Sequence, residues 1–215
     1  MAIAIPRLYV ILDAALLTRP VLQCARELAE AGVRLMQYRN KTGHARELLD
    51  TSRELVSVLA PYGASLIVND RADVAAMADA QGVHVGQDDL EVEKVRDIVG
   101  VGKWVGVSTH NLEQFRQAAA TSADYIAVGP VFATSSKANP DPVVGTELVR
   151  HVRRLTDKPI VAIGGITLER AALVIAAGAH SVAVISDILR AADPAARART
   201  YLDVLSAAAN HAAAV

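Results

Sequence analysis

The chain has 215 residues, enough for one domain with a sizeable core, and its hydrophobic content of 52% with only 4% aromatics means that Ala, Val, Leu and Ile build that core. A formal net charge of -1 gives no suggestion of a nucleic-acid partner or an anionic membrane surface, and no apolar run approaches the ~20 residues of a membrane span. The N-terminal apolar run lacks a basic n-region and is broken by Pro6 and Arg7, so no signal peptide is expected; the single cysteine, Cys24, excludes an internal disulfide, suits a reducing cytoplasm and reads as a core thiol.

An apolar run over 8–12 (LYVIL) predicts a first buried strand, ended by Asp13. A helix over 19–31 follows, with Pro20 at the favoured first position and Gly32 at its close. The second strand spans 35–39, and a helix from 42–44 to 60 is stopped by Pro61. The third strand covers 65–69, after which Asp70 opens a helix through 80. Residues 82–85 form a short fourth strand, and Asp88 and Asp89 mark an acidic helix start. A strand over 104–108, a helix over 111–120, a strand over 125–128 and a helix over 146–155 come next.

The stretch 159–186 (PIVAIGGITLERAALVIAAGAHSVAVIS) is a complete βαβ unit. A buried strand over 160–163 runs into Gly164 and Gly165, Thr167 caps a helix that Gly178 ends, and a strand over 181–185 stops at Ser186. Pro194 then begins a final alanine-rich helix. Strict alternation of strand and helix implies a parallel sheet, and eight repeats imply a single-domain (β/α)8 TIM barrel over 1–215. In such barrels the loops after strands seven and eight often build a phosphate site, and glycine backbone at 164 and 165 lets an anion approach.

Polar residues gather just after the strands. Gln37, Arg39, Asn40 and Lys41 end the second; Asn69, Asp70 and Arg71 the third; His84 and residues 87–89 the fourth; Ser108 to His110 the fifth. In a barrel these ends share the rim that carries active sites. The segment 129–145 (GPVFATSSKANPDPVVG) has no helical or strand period, three prolines and one lysine, and reads as a lid over 130–144. Arg39, Lys41 and Lys137 suit a multiply charged anion, and Asp70 and Asp89 suit Mg2+, which takes one or two carboxylates plus phosphate oxygens. Each aspartate is equally placed to cap the helix that follows it, although capping leaves the facing cations unexplained. Cations, carboxylates and glycine cradle together imply two phosphate sites, one metal-bridged and one metal-free, an arrangement that suits displacement of pyrophosphate by a phosphorylated substrate. His84 reads as core or as support for the site, and His110 as a rim residue or a cap. His44, His151, His180 and His211 read as surface, and no Cys/His spacing resembles a zinc site.

QYRNK (37–41), VNDR (68–71), GVHVGQDD (82–89), GVSTH (106–110), GPVFATSSK (129–137), PIVAIGGI (159–166) and VAVIS (182–186) resemble, in order and spacing, the thiamine phosphate synthase family. The resemblance implies a barrel enzyme that joins 4-amino-2-methyl-5-hydroxymethylpyrimidine diphosphate to a thiazole phosphate, carboxylated or not, with Mg2+-assisted departure of pyrophosphate leaving a pyrimidine cation that the thiazole nitrogen captures. It implies Asp70 and Asp89 as Mg2+ ligands, Arg39, Lys41 and Lys137 at the diphosphate, and Gln37 and Asn69, with Tyr38 and Asn40 in the same segment, at the pyrimidine substrate. Ser108 would meet the diphosphate or the leaving oxygen; Thr134, Ser135 and Ser136 the thiazole; Gly165, Ile185 and Ser186 its phosphate. Ser108, Lys137 and Arg39 would be the catalytic residues. Two departures stand out: Ser136 replaces the usual threonine before the lysine, and Asp187 puts a negative charge next to the expected phosphate. A thiazole tautomerase resembles the synthase but lacks the diphosphate and metal residues; a sugar-phosphate epimerase or aldolase needs a base or Schiff-base lysine inside the barrel, and no strand-interior lysine appears; a non-catalytic sensor of thiamine precursors would keep the binding residues. The expected partners are small-molecule substrates, with no nucleic acid and no membrane. The oligomeric state is left open, a homo-oligomer included.

Overall fold

Period-two alternation within buried strands sets the architecture. In a computed structural model, which describes residues 3–134 and 141–212, eight parallel strands close into a barrel in sequence order: β1 (Leu8–Asp13), β2 (Leu35–Arg39), β3 (Ser65–Asn69), β4 (Gly82–Val85), β5 (Trp104–Thr109), β6 (Tyr125–Val128), β7 (Ile160–Ile163) and β8 (Ser181–Val184). The ring shuts where Leu8, Tyr9 and Val10 pair with Val182, Ala183 and Val184. Alternate residues face opposite ways along each strand. Leu8, Val10 and Leu12, with Met36 and Tyr38, join the layer packed under the helices. Tyr9, Ile11, Leu35, Ile67, Tyr125, Ala127, Val161 and Ala183 fill the interior, with Ile3 and Ile5 packed against them.

The outer ring is α1 (Val21–Glu30), α2 (Ala45–Leu59), α3 (Ala72–Met77), α4 (Val92–Val99), α5 (Leu112–Ala119), α6 (Gly145–Arg153), α7 (Leu168–Ala176), the short α8 (Ser186–Leu189) and α9 (Pro194–Ala212). Each of the longer helices buries one stripe: Cys24, Ala25, Leu28 and Ala29 in α1, for example, with burial raising the Cys24 thiol to about 11. Among the described residues no helix is long and apolar enough to cross a membrane.

Several boundaries differ from the sequence expectation for physical reasons. The helix after β3 starts at Ala72 rather than at Asp70, because Asp70 sits in the left-handed region (φ 62) with its N–H donated to the His84 carbonyl at 2.8 Å. That helix also stops early. Asp79 takes the left-handed position (φ 54) and the Ala80 N–H reaches back to the Ala75 carbonyl at 3.0 Å, a helix stop normally signalled by glycine. Pro61 does not break the second helix abruptly but sits in a 3-10 turn, Ala60–Tyr62. The short α8 has no period of its own and was hidden at the end of the eighth strand.

His180, expected at the surface, is half-buried, and its Nδ1 accepts the Ile160 N–H at 3.0 Å where β7 begins. Burial, then the charges of Arg153 and Arg7, lower its pKa. The unfolded chain therefore binds the proton more tightly than the fold does, and stability falls as pH drops below the ordinary histidine value of about 6.5. We predict that the loss of thermal stability between pH 7 and pH 5 is reduced in His180→Asn, read by thermal denaturation at both pH values; an unchanged loss would contradict the assignment.

Candidate active site

All eight strands run the same way, so their C-terminal ends form one rim and the inward-facing positions nearest it converge. The register places Asp13 beside Arg39, Asn69 beside His84 and Ser108 beside Ala127. Gln37 lies one inward step below Arg39 and Tyr38 on the other face of β2, with the helix-facing layer, so the cavity receives Gln37 and not Tyr38. Asn40 shapes the turn, its Oδ1 accepting the Thr42 and Gly43 N–H groups at 3.2 and 2.9 Å.

Two cavities open here and adjoin. The deeper one, about 80 Å³, is lined by Tyr9, Ile11, Gln37, Arg39, Asn69, His84 and Ser108 together with Ala127, Val161, Ile163, Ala183 and Ile185. The larger, about 380 Å³, is lined by His110, Gly129, Pro130, Ala133, Thr134, Asp141, Ile163 to Thr167, Arg170 and Ile185 to Asp187, with Arg190. Ser108, Ile163, Ala183 and Ile185 line both, so Ser108 is the polar side chain at the junction. Ser135, Ser136 and Lys137 lie outside the described residues, whereas Thr134 and Asp141 on either side both line the larger cavity.

Above the deeper cavity stands a cluster of charge. Arg39 Nη1 donates to Asp13 Oδ2 at 2.5 Å, and the Asp13 side chain is only 4% exposed. Lys41 Nζ donates to Asp70 Oδ2. Burial raises the Asp70 pKa, Lys41 opposes the rise, and a hydrogen bond with Asp89 adds to it, so the two carboxyls are neighbours. Neither aspartate caps a helix. Asp70 is turned away from α3 by its left-handed backbone, and Asp89 Oδ2 accepts the Gly86 N–H at 2.7 Å while Glu91 occupies the cap position of α4. A left-handed aspartate costs about 1 kcal/mol or more and persists where the surroundings demand it. Among the described residues there is no group of three or more His, Cys, Asp or Glu fit to hold a metal. The Asp70–Asp89 pair alone meets the demand of Mg2+, a cation that keeps waters and takes its remaining ligands from phosphate.

The larger cavity offers backbone instead. Gly164 (φ 95) and Gly165 (φ 63) are left-handed, and a Cβ on Gly165 would stand 2.3 Å from the Ala133 carbonyl oxygen. The first-turn N–H groups of α8, beginning at Ser186, have no intrahelical acceptor. Arg170 stitches the two loops together, donating to the Gly165 carbonyl at 2.9 Å while its guanidinium lies 4.7 Å over the Phe132 ring. Asp187, expected to oppose a phosphate, is neutralised: Arg197 donates to both its oxygens at 3.1 Å and Tyr201 at 2.6 Å. His110 belongs to the rim and does not cap α5, whose cap is Asn111. Its Nδ1, 2.6 Å from the Gly129 carbonyl, must carry the proton, leaving Nε2 3.5 Å from Asp141.

A family model described as thiamine monophosphate synthase matches residues 8–188. The chain belongs to that family. The family carries a thiamine-phosphate synthase of Koribacter versatilis, 53% identical over 206 residues that cover 94% of this chain and 96% of the relative. It also carries one of Shouchella clausii, 43% identical over 88% and 91% of the two chains. The structure of thiamine phosphate pyrophosphorylase from Pyrococcus furiosus superposes with a TM-score of 0.86 at 32% identity over 94% of this chain and 96% of that one. By contrast 3-hexulose-6-phosphate synthase from Salmonella typhimurium, at 18% identity and a TM-score of 0.72, shares the fold alone. The family member described here is therefore an enzyme, a transferase of the thiamine-phosphate synthase class.

Sequence reasoning passed over Asp13, Tyr9, Tyr125, Arg170 and Arg190. Asp13 had a usable signal, since like the other site residues it is the polar residue that ends a buried strand. Arg170 sits on α7 and Arg190 just past the end of α8, and neither gave a signal. Because an alanine at Gly165 must both hold a positive φ and displace the Ala133 carbonyl, Gly165→Ala should weaken binding of inorganic phosphate about tenfold, read by isothermal titration calorimetry. Unchanged affinity would contradict the glycine cradle.

Proposed function

We propose that this enzyme joins 4-amino-2-methyl-5-hydroxymethylpyrimidine diphosphate to a thiazole phosphate, forming thiamine phosphate and releasing pyrophosphate, with Mg2+ as cofactor. The observation that carries the reading is the meeting of two unlike anion sites at one serine: a deep cavity under paired cations and carboxylates, and a larger one floored by glycine backbone, sharing Ser108. A tautomerase has no use for the first site, and an aldolase needs an interior lysine.

In this reading Gln37 and Asn69 hold the pyrimidine in the deep cavity, Arg39 and Lys41 meet its diphosphate, and Asp70 and Asp89 hold Mg2+. The metal, when bound, neutralises charge that builds on the diphosphate oxygens as the carbon–oxygen bond breaks. Arg39 and Lys41 are held in the free enzyme by Asp13 and Asp70, so the substrate finds them pre-oriented. The Ser108 hydroxyl lies between donor and acceptor and donates a hydrogen bond to the departing oxygen. Gly165, Ile185 and Ser186 hold the phosphate of the thiazole, so that once the carbon–oxygen bond has broken and pyrophosphate has departed, the thiazole nitrogen captures the pyrimidine methylene cation and forms the carbon–nitrogen bond. Thr134, Ser135 and Ser136 contact the thiazole ring, and Lys137, Ser108 and Arg39 supply the catalytic charge and hydrogen bonds at the leaving group.

Purified enzyme given both substrates and Mg2+ should yield equal amounts of thiamine phosphate and pyrophosphate, and chelation of the metal should stop both. No product with both substrates present would contradict the reading, and tautomerisation of the thiazole without coupling would replace it with the tautomerase.

A further inference from the structure

A chain of hydrogen bonds runs through the barrel interior to the site. Gln37 Nε2 donates to the Tyr9 hydroxyl at 2.7 Å, the Tyr9 and Tyr125 hydroxyls are 3.1 Å apart, Tyr125 lies 3.1 Å from His84 Nδ1, and His84 Nε2 lies 2.9 Å from Ser108 Oγ. Both phenols are buried, Tyr9 at 1% exposure and Tyr125 at 0%, in a barrel otherwise filled by aliphatic side chains. Room is made for them: a Cβ on Gly106 of β5 would stand 2.1 Å from the Tyr125 ring. The Tyr125 ring stacks on His84 at 5.5 Å and meets Tyr9 edge-on at 6.1 Å, so the rings are wedged in one arrangement. Burial raises the pKa of both phenols, so each stays neutral and contributes one proton.

The direction of the chain then follows from counting protons. The Gln37 amide nitrogen can only donate, so Tyr9 accepts from it and spends its own proton on Tyr125, its one other hydrogen-bond partner among the described residues. Tyr125 must then donate to His84 Nδ1. With Nδ1 an acceptor, the histidine proton is on Nε2 and goes to Ser108 Oγ, and the serine proton is left to point into the cavity. In the opposite direction Tyr9 would hold a buried proton with no acceptor among the described residues, and Ser108 would turn its lone pairs toward an incoming anion. We infer that Gln37, Tyr9, Tyr125 and His84 form one directed hydrogen-bond chain that aims the Ser108 proton at the substrate, with Tyr9 and Tyr125 as positioning residues for the reaction. The inference rests on the role proposed above for Ser108.

The test joins a spectroscopic and a kinetic readout. In protein labelled with 15N-histidine, the His84 resonances, assigned by their loss in His84→Asn, should show a protonated Nε2 and an unprotonated Nδ1; a protonated Nδ1 overturns the chain direction whatever the activity. Tyr125→Phe keeps the ring and removes the hydroxyl, and should lower kcat about tenfold while KM for both substrates stays within about twofold. Tyr9→Phe, which leaves Tyr125 stacked on His84, should lower kcat in the same sense and serves if the first variant fails to fold. Combining either with Ser108→Ala should cost no more than Ser108→Ala alone, because both act through that hydroxyl. Losses that multiply overturn the positioning role. Full activity in Ser108→Ala overturns the serine's part in the reaction, and the tautomer then still decides the chain by itself.

Discussion

Charge held at the mouth of an apolar barrel must be paired, and that constraint organises the site. Asp13 is almost wholly buried and Arg39 half-buried, a placement that costs several kcal/mol per ion unless each has a partner. In the free enzyme the partners are internal, Arg39 with Asp13 and Lys41 with Asp70, but Asp70 also meets Asp89. The last of these is a contact between like charges, and with burial it makes the ionised Asp70 unfavourable. In the proposed reading a cation between the two carboxylates would remove that penalty, and an anion above the arginine and lysine would balance the charge the cation brings.

The second cavity works by different physics. Its floor is backbone, kept open by two glycines in conformations that a side chain would strain and block. Backbone donors carry no net charge, so in the proposed reading this site would take one phosphate without competing for the metal. The potential intruder, Asp187, is committed to Arg197 and Tyr201 on α9, so its negative charge is compensated, and Arg170 and Arg190 also line the cavity. In the proposed reading charge would sort the two ligands, a diphosphate with the paired cations and carboxylates and a monophosphate with the glycines.

Much of this was legible in the sequence because a parallel barrel writes its strands as apolar runs and its site as the polar residues that end them. All eight strands were expected within a residue of where they lie, and Gln37, Arg39, Asn69, His84 and Ser108 come together at one cavity. What could not be read depended on contacts distant in sequence or on unusual backbone. Nothing near Asp79 announces a left-handed helix stop where glycine is the rule, and nothing near Asp187 announces that Arg197 and Tyr201 will neutralise it. The aspartates at 70 and 89 were also well placed for capping, and the positive φ of one and the Gly86 bond of the other release them from helices. The interior tyrosines were hidden because strands buried on both faces give no alternation to tell inside from outside.

The central claim is that Asp70 and Asp89 hold a metal together with a diphosphate. Titration of pyrophosphate into the protein, with and without Mg2+, tests it most directly when native protein is set beside Asp89→Asn. The account predicts that Mg2+ tightens pyrophosphate binding to the native protein by about tenfold or more, a coupling of at least ~1.4 kcal/mol, and that Asp89→Asn removes the coupling without weakening metal-free binding. An equal effect of Mg2+ in both proteins would contradict it.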